Sequence, residues 1–278
     1  GTGANQTALL SATGNAIVPT SVLTADTTYN LVSVAVTGVS NCSQLLTGSA
    51  LVRVLPLPTA TISGTTQLCL NSAATQITFT GANGQSPYTF TYSLNSGFPQ
   101  TIRTVLGSDS VTINAPTTAA GQFIYDLIAV SSASTPSCNQ PQVGSAIVTI
   151  LGLPTATIAV ANAQVCINDP LVPQITFTGT NGQSPYTFNY KINNGPIQTA
   201  ISTVGNNSTT VNVSTTTAGT FVYDLISVSS ATTPSCSQPQ VGTVTVVVKP
   251  ASTLTTTSTT TQSVCASTLI TPIVLNIG

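Results

Sequence analysis

Nine charged side chains and six cysteines make up nearly all the reactive chemistry of this 278-residue chain. The charges are Asp26, Asp109, Asp126, Asp169 and Asp224 against Arg53, Arg103, Lys191 and Lys249; glutamate, histidine, methionine and tryptophan are absent. A serine or cysteine nucleophile would therefore lack its usual histidine base. Asp126 and Asp224 occupy the same position in successive copies of a repeat, so they are expected a domain length apart and not as the paired carboxylates of glycoside hydrolysis. Asp109 and Asp169 have no acidic neighbours with which to build an oxygen cage for calcium. The cysteines (Cys42, Cys69, Cys138, Cys166, Cys236 and Cys265) contain no C-x-x-C pair and have no histidine to complete a zinc set. The expectation is no catalysis, no metal and no cofactor. What remains for the thiols is to pair, which implies an oxidising compartment outside the cytoplasm.

Composition narrows the class further. Charged residues are 3% of the chain, where a globular domain carries about 25%. Threonine (52) and serine (31) are abundant, and 41% of residues are apolar. That apolar content excludes a disordered chain. Four scattered cations cannot neutralise a run of phosphates, so nucleic acid is excluded as a partner. No apolar run is long enough to span a membrane as a helix. Helix formers are scarce while threonine, valine and isoleucine abound, so the chain is expected to be all-β.

The strongest signal is internal repetition. Residues 83–90, Asn-Gly-Gln-Ser-Pro-Tyr-Thr-Phe, return unchanged at 181–188. Tyr125-Asp126-Leu127-Ile128 returns at 223–226, Pro136-Ser137-Cys138 at 234–236, and Gln140-Pro141-Gln142-Val143-Gly144 at 238–242. Aligned without gaps, 77–150 and 175–248 share 45 of 74 residues. Tyr29, Leu31, Cys42 and Gly48 match Tyr125, Leu127, Cys138 and Gly144, so 1–57 reads as the back half of a repeat. Complete repeats are expected at 58–153 and 154–249. Residues 250–278 read as the front of another, with Cys265 in the place of Cys69 and Cys166. With no leader and no methionine, the chain reads as part of something longer. The joints at Leu57-Pro58, Leu153-Pro154 and Lys249-Pro250 leave almost no linker, and proline stiffens what remains.

Within a repeat, strands are expected at 59–63, 76–81, 88–94, 111–114, 123–131 and 145–151, separated by turn signals such as Asn83-Gly84 and Asn95-Ser96-Gly97. About seven short strands per 97 residues is the pattern of an immunoglobulin-like β-sandwich. In the longest strand Phe123, Tyr125 and Leu127 share one face, which makes Tyr125 a core tyrosine. The threonine-rich tract 252–261 is expected as a first strand. Such units, arranged end to end as a rod, would each span roughly 30–40 Å.

A cysteine before a strand, Gly-x-x-Pro-Tyr-x-x-x-Tyr, Gly-x-Phe-x-Tyr-x-Leu and a cysteine after it form an ordered motif. Cys69, Gly84, Pro87, Tyr88, Tyr92, Gly121, Phe123, Tyr125 and Cys138 carry it, as do Cys166, Gly182, Pro185, Tyr186, Tyr190, Gly219, Phe221, Tyr223 and Cys236. This order resembles the repeats of large Bacteroidota surface adhesins of the SprB gliding-motility type, and related Ig-like or PKD-like arrays. The resemblance implies type IX export and display at the cell surface, with outer-membrane attachment through parts outside this segment. Neighbouring repeats of the same chain are the expected partners, together with surface polysaccharide or other cells. An extracellular filament or sheath subunit is the alternative, as are carbohydrate-binding accessory modules of a secreted enzyme.

Three features remain as candidate sites. Tyr88 and Tyr186 enter a strand from a loop, where they would either pack inward or contact a partner at the surface. Asp26-Thr27-Thr28 and Asp109-Ser110-Val111 resemble Bacteroidota O-glycosylation sequences, which makes Thr27 and Ser110 candidate acceptors. The third feature is the set of six cysteines, all expected to be oxidised. Bridges within repeats, Cys69–Cys138 and Cys166–Cys236, would close loops of about 70 residues, each worth about 4 kcal/mol. The rival pairing is Cys69–Cys236, because the first and last interstrand loops of a sandwich lie at opposite poles. A disulfide cannot span that distance when its Cα atoms must lie within about 7 Å. Both pairings stay open, and topology favours the second.

Overall fold

Threonine, valine and isoleucine are frequent through most of the chain, and extended strands suit such β-branched residues. The computed structural model describes residues 5–36, 38, 42–258 and 261–277, and every regular element among them is a strand. The chain divides into two compact units. One combines residues up to 64 with 76–113 and 124–146; the other combines 65–75 and 114–123 with residues from 147 onward.

Residues before Pro58 form one interrupted hairpin, two short pairings nested one inside the other. β1 (Thr27–Asn30) pairs antiparallel with β4 (Ser49–Val52), and β2 (Ser33–Val36) with β3 (Cys42–Leu45). Their repeat equivalents are the last two strands of a sandwich. The first complete repeat contributes β5 (Thr59–Ser63), β6 (Thr66–Cys69), β7 (Thr75–Ala82), β8 (Thr89–Leu94) and β9 (Gln100–Arg103). It continues with β10 (Ser110–Ala115), β11 (Gly121–Ser131), β12 (Asn139–Pro141) and β13 (Ser145–Leu151). They lie in two sheets, β10-β7-β5 and β6-β13-β11-β8-β9, with β12 also paired to β11.

The second repeat lies wholly in the second unit and gives the same order. Its strands are β14 (Thr155–Val160), β15 (Gln164–Cys166), β16 (Gln174–Thr180), β17 (Tyr186–Ile192), β18 (Gln198–Ile201), β19 (Ser208–Asn212), β20 (Gly219–Ser230) and β21 (Ser237–Lys249). One sheet is β14-β16-β19 and the other β15-β21-β20-β17-β18. All pairings are antiparallel except β15 with β21, which run parallel. Two facing antiparallel sheets with a split first strand are an immunoglobulin-like sandwich. β22 (Leu254–Thr256) pairs with β23 (Leu275–Ile277). The threonine-rich tract is thus a strand only at its start, and 259–260 lie outside the described residues.

Alternation builds the core. In β16, Ile175, Phe177 and Gly179 face inward, while Thr176 and Thr178 are only half-buried. Phe177 packs on Phe188 at 5.6 Å and on Tyr190 at 5.0 Å between ring centroids, and Tyr190 on Tyr223 at 6.2 Å. In the first repeat Phe79, Phe90, Tyr92 and Tyr125 make the corresponding contacts at 5.7, 5.0 and 6.4 Å. Offset aromatic pairs at these separations add to the benefit of burial itself. A bulge at Ile226, between Leu225 and Ser227, interrupts both ladders of β20, and the β8–β11 ladder breaks in the same way at Ile128.

Within 58–153 and 154–249 the expected strands all form. Those not anticipated are the short edge strands β6, β15, β9 and β18, together with β12. Their sequences, such as Gln-Thr-Ile-Arg in β9, lack the alternation that marks a half-buried strand.

Candidate functional site

Cys69 and Cys236 are joined by a disulfide, with Cα atoms 5.6 Å apart across 167 residues of sequence. The bond links a cysteine of the first complete repeat to one of the second, which is the pairing that topology favours, and excludes both within-repeat bridges. Cys69 is not in a loop before a strand, as expected from the sequence, but is the last residue of β6. That strand runs parallel to β13, with Cys69 level with Leu151, so the thiol is carried to the end of the repeat where the chain leaves it. Behind Cys69 the chain turns back through Asn71, whose φ of 63° suits asparagine better than a branched residue. Three donors hold the turn: Leu70 N–H to the Leu151 carbonyl, Asn71 N–H to Thr117, and Ser72 N–H to Cys69.

Cys236 stands at the opposite end of its own repeat, just before β21. The turn from β20 contains a cis Thr233-Pro234 peptide. Ser230 N–H donates to the Cys236 carbonyl, and the Ser235 hydroxyl donates to the Ser230 carbonyl at 2.8 Å. The Thr232 hydroxyl donates to the Pro234 carbonyl at 2.8 Å. This frame fixes a sulfur that is fully buried. In the chain-entropy account, closing so long a loop stabilises the folded chain by about 5 kcal/mol. Cys42, Cys138, Cys166 and Cys265 form no bond within this chain.

The tyrosines weighed as surface contacts are core residues. Tyr88 is 2% exposed and Tyr186 1%. The Tyr186 ring lies against Gly179, where a β-carbon would stand 2.5 Å from ring carbons, and its hydroxyl oxygen accepts the Gly182 N–H at 3.0 Å. Tyr88 repeats this with Gly81 and Gly84. Of the two readings the sequence offered, inward packing is the one found, and the glycine opposite makes room for the ring. Tyr125 is buried as expected. Burial pushes its hydroxyl pKa above the ordinary value, and the neighbouring Tyr92 adds to the shift. Tyr223 is raised by burial and then by Tyr190, and Tyr190 by burial.

Four of the five aspartates are engaged locally through their carboxylates. Ser145 Oγ donates to Asp126 at 2.6 Å, and Thr243 Oγ1 to Asp224 at 2.7 Å, both across adjacent strands. Asp169 accepts the Leu171 N–H in a turn, and Asp26 accepts the Val54 N–H. Among the described residues no three histidine, cysteine or acidic side chains cluster as metal ligands. Two surface hollows of about 150 and 310 Å³ are lined by residues such as Leu55, Gln85 and Ser132, and Thr203, Asn206 and Thr210; neither holds an ionisable side chain. Among the described residues no helix is long and apolar enough to cross a membrane.

The O-glycosylation candidates differ in setting. Ser110 opens β10 at an exposed position, with no hydrogen bond to its hydroxyl among the described residues. Thr27 is half-buried and donates to the Ala25 carbonyl. Sequence reasoning missed Gln142 and Gln240, although their pentapeptide repeat was visible. Each side-chain carbonyl accepts a first-strand N–H, of Ala60 and Ala156 respectively, at 2.9 Å, which ties together the two sheets of its sandwich.

No family model matches the chain, and no curated protein matches it. Among solved structures it is similar to a 1.5-MDa bacterial ice-binding adhesin (13% identity, TM-score 0.42, 74% of this chain and 70% of that one). It is also similar to a Ca2+-stabilized adhesin with which an Antarctic bacterium binds ice (16% identity, TM-score 0.45), covering 82% of this chain and 59% of that one. A third similarity is to a tetra-tandem repeat from the extending region of a large adhesion protein (12% identity, TM-score 0.32, 86% of this chain and 65% of that one).

Proposed function

We propose that the chain is a non-enzymatic stretch of a large secreted cell-surface adhesin, whose tandem sandwiches, with boundaries near Pro58, Pro154 and Pro250, stand end to end as a stiff stalk. The observation that carries this reading is the Cys69–Cys236 bond, which fastens one repeat to the next across a joint of almost no length. A covalent tie between successive repeats does little for a catalyst, but it resists bending and pulling in a thread. The surface agrees with that role. Hydroxyl groups hydrate it, and nine charges offer salt or pH little to act on.

The motif order, with its resemblance to Bacteroidota gliding-motility adhesins, supports type IX export and a place outside the outer membrane. Its partners in this reading are the neighbouring repeats and, beyond them, surface polysaccharide or other cells. Ser110 and Thr27 are its O-glycan acceptors, with Ser110 the more accessible. Antibody raised against the chain, applied to intact cells of the source, tests the reading. Labelling of threads on unpermeabilised cells is expected, and labelling that appears only after lysis would overturn it.

A further inference from the structure

The structure offers the same half-junction four times, and only two of the halves are joined within this chain. Cys166 stands in the setting of Cys69. It closes a short strand parallel to the last strand of its sandwich, level with Lys249 as Cys69 is level with Leu151. Ile167 N–H donates to Lys249, Asn168 N–H to Thr215 and Asp169 N–H to Cys166, repeating the three bonds behind Cys69. Asn168 has a φ of 59° against 63° at Asn71.

Cys138 stands in the setting of Cys236. Ser132 N–H donates to its carbonyl at 3.0 Å, as Ser230 N–H does to Cys236, and Ser137 Oγ donates to Ser132 as Ser235 Oγ does to Ser230. A cis Thr-Pro peptide precedes both. The Cys138 sulfur lies 3.8 Å from the Pro136 carbonyl oxygen, and the Cys236 sulfur 3.7 Å from that of Pro234. Both frames are therefore complete without a partner. Burial is what differs. Cys236 is fully buried and Cys138 only half-buried; Cys69 is half-buried and Cys166 exposed.

From this we infer that Cys138 and Cys166 are docking thiols for further repeats of the same kind. Cys166 takes the later cysteine of a following repeat, and Cys138 the earlier cysteine of a preceding one. Each repeat would then carry two bonds, one to each neighbour, so that every joint in the thread is stapled. Chemically, two thiols give up two protons and two electrons to a disulfide donor of the oxidising compartment, which leaves as two thiols while one S–S bond forms.

The inference rests on the stalk reading and is tested apart from it, in a chain in which 58–249 is duplicated in tandem (1–249 followed by 58–278). Its new joint, Lys249-Pro58, has the form of the native ones, and it places a Cys138 one repeat beyond a Cys166. Both chains are oxidised with glutathione disulfide in dilute solution, alkylated, weighed intact and then digested with pepsin. A peptide joining Cys166 to Cys138 is expected in the duplicated chain and not in the parent. Both chains should then carry four alkylated cysteines, the number left unpaired in the parent. Six alkylated cysteines, or a bridge of Cys166 to Cys236 or Cys69 to Cys138, would overturn the inference. The Cys69–Cys236 peptide reports that each chain has folded, and surface labelling of cells decides the stalk reading independently.

Discussion

Gly179 and Tyr186 face each other so closely that a β-carbon on the glycine would stand 2.5 Å from the ring. The ring is 1% exposed and its hydroxyl is held by the Gly182 N–H, so it has nowhere to retreat. Gly179→Ala is therefore expected to cost about 1–3 kcal/mol through overpacking. Gly81→Ala should do the same in the first repeat, where Tyr88 lies equally close. Urea denaturation followed by tyrosine fluorescence measures the loss; a midpoint unchanged by either substitution would contradict this account of the tyrosine.

Gln240 is expected to matter more than its polar, loop-like sequence suggests. Gln240→Ala leaves the Ala156 N–H without its acceptor, at a cost of about 1 kcal/mol. Hydrogen exchange at the Ala156 amide should accelerate while amides of β17 and β20 keep their protection. Uniform acceleration across the repeat would instead mean that the glutamine supports the whole sandwich.

Periodicity made most of this fold legible. Phe123, Tyr125 and Leu127 alternate with their neighbours, so β11 and its inward Tyr125 follow from sequence, and the 98-residue offset carries the result to β20; the bulge at Ile128, which shifts the inward face to Val130, does not show in that pattern. The short strands β6 and β15 were hidden, because four residues such as Thr-Gln-Leu-Cys show no period. Their parallel pairing is set by a neighbour far along the chain. The fate of Tyr88 was hidden for a related reason: its pocket comes from Gly81, on a different strand, and a glycine in sequence does not say what will fill its space. The cysteine pairing was legible only in part: the poles reached by the interstrand connections favoured Cys69–Cys236, but the within-repeat bridges stayed open because the strand that carries Cys69 could not be seen in the sequence.

Alkaline pH should loosen the core. Tyr125, Tyr190 and Tyr223 have hydroxyl pKa values raised from 10.0 by burial, so the folded chain holds these protons more tightly than the unfolded chain does. The unfolded state then binds fewer protons above pH 10, and stability falls with rising pH. The contribution is whole below pH 10 and is lost as pH climbs through the raised values. Tyrosinate absorbance should rise in two stages, with the late fraction tracking unfolding. With no histidine in the chain, stability between about pH 5.5 and 7.5 should be flat.

Removing the junction bond separates what it contributes from what the sandwiches contribute. Cys69→Ser frees Cys236, and the folded chain loses up to about 5 kcal/mol of the restraint that the closed loop places on the unfolded ensemble. Each sandwich keeps its own core, since the aromatic contacts of Phe79 and Phe177 lie within their repeats and do not involve the cysteines. Far-ultraviolet circular dichroism should therefore be unchanged at 25 °C, while the thermal midpoint drops by several degrees. Treating the unsubstituted chain with dithiothreitol should lower the midpoint equally, and treating Cys69→Ser should add nothing further. A midpoint insensitive to both would mean that the bond joins repeats without stabilising them.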